Sequence, residues 1–243
     1  MGGCTLANLS GPTLGAVRYV DLNADLGEEV TDDAALLDVV TSANVACGYH
    51  AGNAAIMASV CERAAALGVA VGAQVSYDDR ANFGRVAQDV EPHVLRDQVA
   101  DQVGALSAIA AAAGTTVSYV KPHGALYHRV LDDEAQAAAV LEGSGSLPVL
   151  TMPGVLARIA AAAGRVVRSE GFPDRAYGAD GRLLPRDRPG AVLDDPDEIA
   201  HHAVRLAATV DSLCLHGDTP GAVAHARAVR RALEGSGWTP RGL

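Results

Sequence analysis

The sequence predicts an α/β fold, a parallel (β/α)7 TIM-like barrel, and three observations carry that prediction. Strand and helix patterns alternate without a break from about residue 16 to the end of the 243-residue chain, which implies a parallel sheet with right-handed crossovers. Hydrophobic residues make up 49% of the chain and aromatics only 4%. Ala, Val and Leu must therefore fill the core, as close packing of helices on parallel strands allows. Polar residues recur at the C-terminal ends of nearly all the strands rather than at one switch point, which favours a closed barrel over a doubly wound open sheet.

In chain order, residues 1–15 are small, polar and Gly/Pro-containing, and are expected to form a flexible leader. Residues 16–243 read as a single barrel domain, because no Ser/Gly linker or low-complexity segment divides them. A first strand at 16–22 leads to a helix at 32–40 and a second strand at 43–47. The helix at 53–67 starts at Asn53 and is stopped by Gly68 before a strand at 70–74. Glu91-Pro92 opens the helix at 91–113 and Gly114 follows it. A strand at 117–121 and a helix at 124–142 come next, then a strand at 149–152 and a helix at 153–163 that ends at Gly164. Strand 166–170, helix 195–208 (opened by Asp195-Pro196), strand 212–216 and helix 219–235 (opened by Thr219-Pro220) complete the seven units. Proline suits a first helical turn, and glycine takes the left-handed conformation that ends a helix. Two long irregular stretches, 77–90 and 172–194, are expected to be lids or binding loops.

Composition excludes several functions. The net charge is −10, and the one dense basic cluster, Arg227, Arg230 and Arg231, has the spacing of a solvated helix face, so nucleic acid is not an expected partner. Cys4, Cys47, Cys61 and Cys214 show no metal-ribbon or disulfide spacing and read as reduced thiols. No signal-peptide pattern or long apolar run is present. Met1-Gly2-Gly3-Cys4 has Leu6 where a myristoylation motif wants Ser or Thr. The expectation is a soluble, cytoplasmic protein without membrane contact; a homo-oligomer is left open.

The chemistry collects at the strand ends. Lys121 is the only lysine among 19 Lys and Arg residues, which suggests a position that wants a compact ammonium or a titratable amine rather than any positive charge. With it stand Asp21, Asn23, Asp25, Asn44, Cys47, His50, Gln74, Ser76, His123, Glu170, His216 and Asp218, which a barrel would gather on one face. In Asp21-Leu22-Asn23-Ala24-Asp25 the period of two aims both carboxylates and the amide to one side of a strand. Such a pair can hold a cation, orient substrate, or split into an acid and a base. His50, His123 and His216 each lie beside glycine near this face, whereas His93, His128, His201, His202 and His225 fall in helical segments and read as surface residues. A divalent metal at the barrel mouth is a competing use of the set: His50, His123 or His216 with Asp21 or Asp25 could hold one. Against it, no histidine pair has the i, i+4 spacing of helical metal sites, and Lys121 would repel an adjacent ion.

Several phrases resemble one family. They are Asp21-Leu22-Asn23-Ala24-Asp25-Leu26-Gly27-Glu28, Ser42-Ala43-Asn44-Val45-Ala46-Cys47-Gly48-Tyr49-His50-Ala51-Gly52 and Val120-Lys121-Pro122-His123-Gly124-Ala125-Leu126-Tyr127, followed by Asp174-Arg175-Ala176-Tyr177, Arg188-Pro189-Gly190-Ala191 and His216-Gly217-Asp218-Thr219-Pro220. In this order they resemble the LamB/YcsF family, the A subunits of bacterial ATP-dependent 5-oxoprolinase. The resemblance implies a barrel of the glycoside hydrolase/deacetylase type. It also implies opening of the 5-oxoproline lactam to L-glutamate, with ATP and Mg, together with B and C subunits. On that reading Lys121 stabilises negative charge and His123 or His216 serves as acid or base, with Asp21, Asp25 or Asp218 orienting those bases or positioning water or Mg-ATP. Asn23, Asn44, His50, Gln74, Ser76 and Asp218 then contact substrate. Two departures stand out. Gln74 replaces a histidine of the usual Gly-Ala-His-Pro-Ser-Tyr, and glutamine cannot shuttle a proton. Asn53 replaces a frequent Asp, a change a helix start tolerates. No GxxxxGK[ST] loop exists, so a nucleotide is held by another element or by a partner. The alternatives are a metal-dependent deacetylase or amide hydrolase acting alone, and a non-catalytic binding subunit.

Overall fold

The structure is a computed structural model that describes residues 17–218 and 221–243. Seven parallel strands close into a barrel: β1 (Arg18–Leu26), β2 (Ser42–Ala46), β3 (Ala70–Val75), β4 (Val117–Pro122), β5 (Val149–Thr151), β6 (Val167–Gly171) and β7 (Ser212–Leu215). They neighbour one another in chain order, and β1 pairs with both β2 and β7. Around them run α1 (Asp33–Leu37), α2 (Ala54–Leu67), α3 (Pro92–Ala112), α4 (Gly124–Arg129), α5 (Glu134–Gly143), α6 (Val155–Ala162), α7 (Pro196–Leu206) and α8 (Ala222–Gly235). Asn53 caps α2 by accepting from the amides of Ala55 and Ile56, and Asp195 caps α7 in the same way. Gly68 ends α2 in the left-handed conformation. No helix among the described residues is long and apolar enough to cross a membrane.

Four details differ from the sequence reading. The first strand runs to Leu26 rather than ending at 22, so Asp25 lies within it. The helix expected at 124–142 is two helices, because Val130 closes α4 and Asp133 caps α5 by accepting from Ala135 and Gln136. A short strand β8 (Trp238–Pro240), too brief to leave a pattern, pairs parallel to β1 at Arg18–Val20. His225 is buried on α8 at 5% exposure rather than on the surface. The expected leader and the Thr219-Pro220 helix start lie outside the described residues.

The barrel interior is polar. Along β1, Val20, Leu22, Ala24 and Leu26 join the apolar core with the helices, and Asp21, Asn23 and Asp25 take the alternate positions of the strand and face inward. Their partners lie across the barrel in tiers. Lowest, Thr41 and Ser42 each donate a hydroxyl to Asp21 Oδ1 at 2.7 Å, and Ser212 donates to Oδ2. Above them Asn23 donates to Ser212 Oγ at 2.6 Å, Asn44 donates to Asn23 at 2.6 Å, and Tyr119 donates to Asn44 at 2.7 Å. Gly72 is required here. A Cβ on it would lie 2.2 Å from the Tyr119 ring, so any other residue would push the phenol out of the barrel axis.

Asp21 makes the stability of the fold depend on pH. Burial pushes its carboxyl up to about 6, against the pull of the three hydroxyls. The folded chain thus holds this proton more tightly than the unfolded chain, and raising the pH from about 4 to about 6 removes stability, roughly 3 kcal/mol in all. Asp21→Asn is expected to stabilise the protein at about pH 7.5 by up to that amount and to do nothing below about pH 4. Urea unfolding of both proteins at both pH values checks this, and an equal effect at the two would exclude ionisation as the source.

Candidate active site

At the C-terminal ends of the strands lies a pocket of about 310 Å³ lined by Asp25, Lys121, His123 and His216, with Tyr127, Phe172, Arg175 and Arg186 among its other walls. Its floor is the lysine cage. Lys121 Nζ lies 2.8 Å from Asp25 Oδ1, 3.1 Å from Glu170 Oε1 and 3.0 Å from Cys214 Sγ. Burial alone would depress this amine, but Asp25 and Glu170 hold it well above the usual lysine range, so it stays an ammonium. For Asp25, burial opposes ionisation, yet Lys121 keeps the carboxyl well below the carboxylate range. The ammonium donates to Asp25 Oδ1 and to the weak acceptor Cys214 Sγ, and Glu170 completes the cage as an ion pair. Burial holds the Cys214 thiol well above its usual range, so it is a neutral neighbour. Of the two uses the sequence left open for Lys121, the cage fits the fixed charge.

Beside the cage stands an imidazole–carboxylate pair. His216 Nδ1 lies 2.8 Å from Asp174 Oδ2, which also accepts the His216 backbone N–H at 3.1 Å. Burial raises the Asp174 carboxyl less than its contacts with His216 lower it, so it is an anion. The anion fixes Nδ1 as the protonated nitrogen and leaves Nε2 with the lone pair. Phe172 stacks on the His216 ring at 5.3 Å and its face lies 5.5 Å from Lys121 Nζ. Tyr127 donates to Glu170 Oε2 at 2.8 Å, fixing the second cage carboxylate.

Behind His123 is a second polar cluster. His50 and His123 stack in parallel at 4.0 Å, and Glu28 Oε1 lies 3.5 Å from His50 Nε2 and from His123 Nδ1. Gln74 Nε2 donates to Glu28 Oε1 at 2.9 Å and meets His123 Nδ1 at 2.9 Å. His123 Nε2 meets the Phe83 carbonyl at 3.2 Å. That carbonyl belongs to a strap, which presses Gly84 so close to Ser76 and His50 that a Cβ would lie 2.5 Å from Ser76 Oγ. Burial, and then His50, holds His123 well below the usual imidazole range, so it is neutral. Both ring nitrogens of His50 and Gln74 Oε1 are buried without a hydrogen bond. Two imidazoles and a carboxylate whose ligand atoms lie within 4.8 Å of one another suit a divalent ion such as zinc, so Glu28, His50 and His123 fit a metal, while Gln74 turns its amide nitrogen toward them.

The structure thus divides the residues singled out in the sequence. Asp25, Lys121, His123 and His216 line the pocket, and Asp218 reaches its rim by pairing with Arg85 and lying 3.9 Å from Arg186. His50 and Gln74 lie behind His123. Ser76 is tied to α3, its N–H donating to Gln102 Oε1 at 2.9 Å. Asp21, Asn23 and Asn44 occupy the interior tiers. Glu28, Tyr127, Phe172 and Asp174 were not expected as site residues. Of these, Glu28, Tyr127 and Asp174 lie within the family-like phrases, and Glu28 and Asp174 could have been found as carboxylates near strand ends. His128 lines the pocket rather than a remote surface.

A small pocket at the C-terminal mouth of a parallel (β/α)7 barrel, with a caged ammonium and a carboxylate-held imidazole, defines an enzyme-like site of the α/β-barrel class. The sequence profile of the LamB/YcsF family matches residues 20–243, and the chain belongs to that family. It is 57% identical over 242 residues to the 5-oxoprolinase A subunit of Streptomyces avermitilis, covering 90% of this chain and 97% of that one. To the protein of the same name in Corynebacterium jeikeium it is 47% identical over 244 residues, covering 90% and 95%. The solved "Lactam Utilization Protein" of Thermus thermophilus superposes with a TM-score of 0.87 at 37% identity, covering 93% of this chain and 100% of that one. A family 4 carbohydrate esterase from Streptomyces lividans shares only the fold, with a TM-score of 0.52 at 14% identity over 92% of this chain and 91% of that one.

Proposed function

We propose that the chain is the A subunit of an ATP-dependent 5-oxoprolinase, a hydrolase that opens the 5-oxoproline lactam to L-glutamate with B and C partner subunits in the cytoplasm. The observation that carries this is the His216–Asp174 pair set beside the Lys121 cage in one small pocket. A lactam is a resonance-stabilised amide, and phosphorylation of its oxygen by Mg-ATP makes the carbon electrophilic. His216 Nε2 takes a proton from the attacking water, and the ring nitrogen takes one as its bond to carbon breaks. Hydrolysis of the resulting acyl phosphate releases glutamate and phosphate. A substrate oxygen at the cage would displace the thiol contact of Cys214 and receive the third N–H of Lys121. The nucleotide is held by a partner subunit or by an element unlike a GxxxxGK[ST] loop.

The test is glutamate release from 5-oxoproline and ATP by the purified chain, with and without the cognate B and C proteins. Release only with both partners is the expected result, and none in any combination would leave the non-catalytic reading. Glu28, His50 and His123 would hold a divalent ion, which when bound supplies Lewis acidity and lowers the pKa of water. Chelator-sensitive turnover without ATP or partners would favour the lone amide-hydrolase reading instead.

Gln74→His tests the second cluster directly. A third imidazole beside Glu28, His50 and His123 is expected to tighten zinc binding about tenfold or more, measured by competition with a chromogenic chelator. An unchanged affinity with an unchanged melting temperature would mean that position 74 does not serve a metal.

A further inference from the structure

We propose that Arg175 and Arg186 form a carboxylate subsite on the outer wall of the pocket, which selects a monoanionic lactam and sets its orientation. This rests on the reading of the chain as a lactam-opening subunit.

Arg175 is 2% exposed, yet no carboxylate lies within ion-pair distance of its guanidinium among the described residues. Its Nε and Nη2 donate to the carbonyls of Ala191 and Leu184 at 3.1 and 2.5 Å, which fixes the fork, and the residue lines the pocket. A buried cation lacking a counter-ion is costly unless a ligand supplies the negative charge. The adjacent Asp174 is committed to His216. Arg186 also lines the pocket, and its nearest carboxylate, Asp218 at 3.9 Å, is held more closely by Arg85. His128 registers the resulting field: burial, then Arg175 and Arg186, hold it below the usual imidazole range.

The charge balance gives the ligand class. On this wall Arg85, Arg175 and Arg186 face Asp174 and Asp218, leaving one positive charge when His216 is neutral. A single carboxylate neutralises it. The other end of the pocket has the opposite bias, because Lys121 is enclosed by Asp25 and Glu170. A ligand carboxylate there would meet like charges, whereas a neutral lactam would not. The carboxylate is thus directed outward to the arginines and the amide inward to Lys121 and His216.

Calorimetric titration of the full chain with 5-oxoproline, with 2-pyrrolidinone (the same ring without the carboxylate), and with acetate and inorganic phosphate tests the subsite. Wild type is expected to bind 5-oxoproline at least tenfold more tightly than 2-pyrrolidinone. Arg186→Gln and Arg175→Lys should each weaken 5-oxoproline about ten- to a hundredfold, the range of a charge-assisted hydrogen bond, and leave 2-pyrrolidinone unchanged. Arg186 is partly exposed, so its variant carries the test if Arg175→Lys unfolds. Acetate binding that needs Arg186, with neither lactam bound, would keep the subsite and overturn the lactam reading. Equal loss of both lactams, no loss of either, tighter binding of phosphate than of any carboxylate, or no binding at all would overturn the subsite.

Discussion

Lys121→Met is expected to abolish turnover and to cost about 3–5 kcal/mol of stability, the range for removing one partner of a buried ion pair. The lysine and Asp25 side chains are only 3% and 4% exposed, and without the ammonium Asp25 and Glu170 face one another uncompensated. One of them must then take up a proton, so the loss should shrink as the pH is lowered. Lys121→Arg separates charge from shape. It retains the cation, but a larger planar guanidinium cannot fit the compact cage that Asp25, Glu170 and Cys214 form around the ammonium. The arginine variant should fold, at a lower melting temperature, with turnover reduced by about a thousandfold or more. Urea unfolding and the glutamate-release assay with partner subunits measure both quantities. Full activity in the arginine variant would show that position 121 needs only a positive charge.

The second large effect is expected at the imidazole. His216→Gln should lower turnover by about 10² to 10⁴, the range for loss of a positioned acid–base group. Asp174→Asn should lower it by a similar factor, because an amide no longer dictates which ring nitrogen carries the proton. If the two act as one unit, the double variant is expected to be little worse than either single one. Losses that multiply in the double variant would mean separate roles, and an unaffected KM in each would show that the ring does not serve in binding. The His216 side chain is partly exposed at 11%, so its replacement should not reach far into the fold, whereas Asp174 is buried at 2% and the melting temperature of its variant is measured alongside.

Most of the barrel was legible because its signals are local. Asn53, Asp195 and the glycine stops announce helix ends through their own backbone chemistry, and alternation in Asp21-Leu22-Asn23-Ala24-Asp25 announces a strand facing two ways. What alternation does not carry is depth. All three polar residues of β1 read alike, yet only Asp25 reaches the pocket, while Asp21 and Asn23 lie in tiers set by strand stagger around the whole barrel. The division of 124–142 into α4 and α5 was hidden because Asp132 and Asp133 look like ordinary helix-surface residues until the chain turns there. Arg175 and Arg186 sit in the irregular 172–194 stretch, where no periodicity assigns direction, and only the closed loop brings them to the wall. His128 was misplaced for a related reason: α4 is so short that its face turns toward the mouth.

The middle tier of the barrel has a consequence for proton traffic. Between Asp21 below and the lysine cage above stand Asn23, Asn44 and the phenol of Tyr119, whose ionisation burial and then Asp21 push well above the usual range. Side-chain amides donate and accept hydrogen bonds but release no proton near neutral pH. The tier therefore behaves as an insulator: it transmits polarity along its bonds and stops a hopping proton. Asp21 thus has no proton path up to the cage; its way to solvent runs through the half-buried hydroxyl of Thr41 at the opposite end of the barrel. The ionisation of Asp21 is accordingly recorded in the pH dependence of unfolding and is kept apart from the chemistry of the pocket.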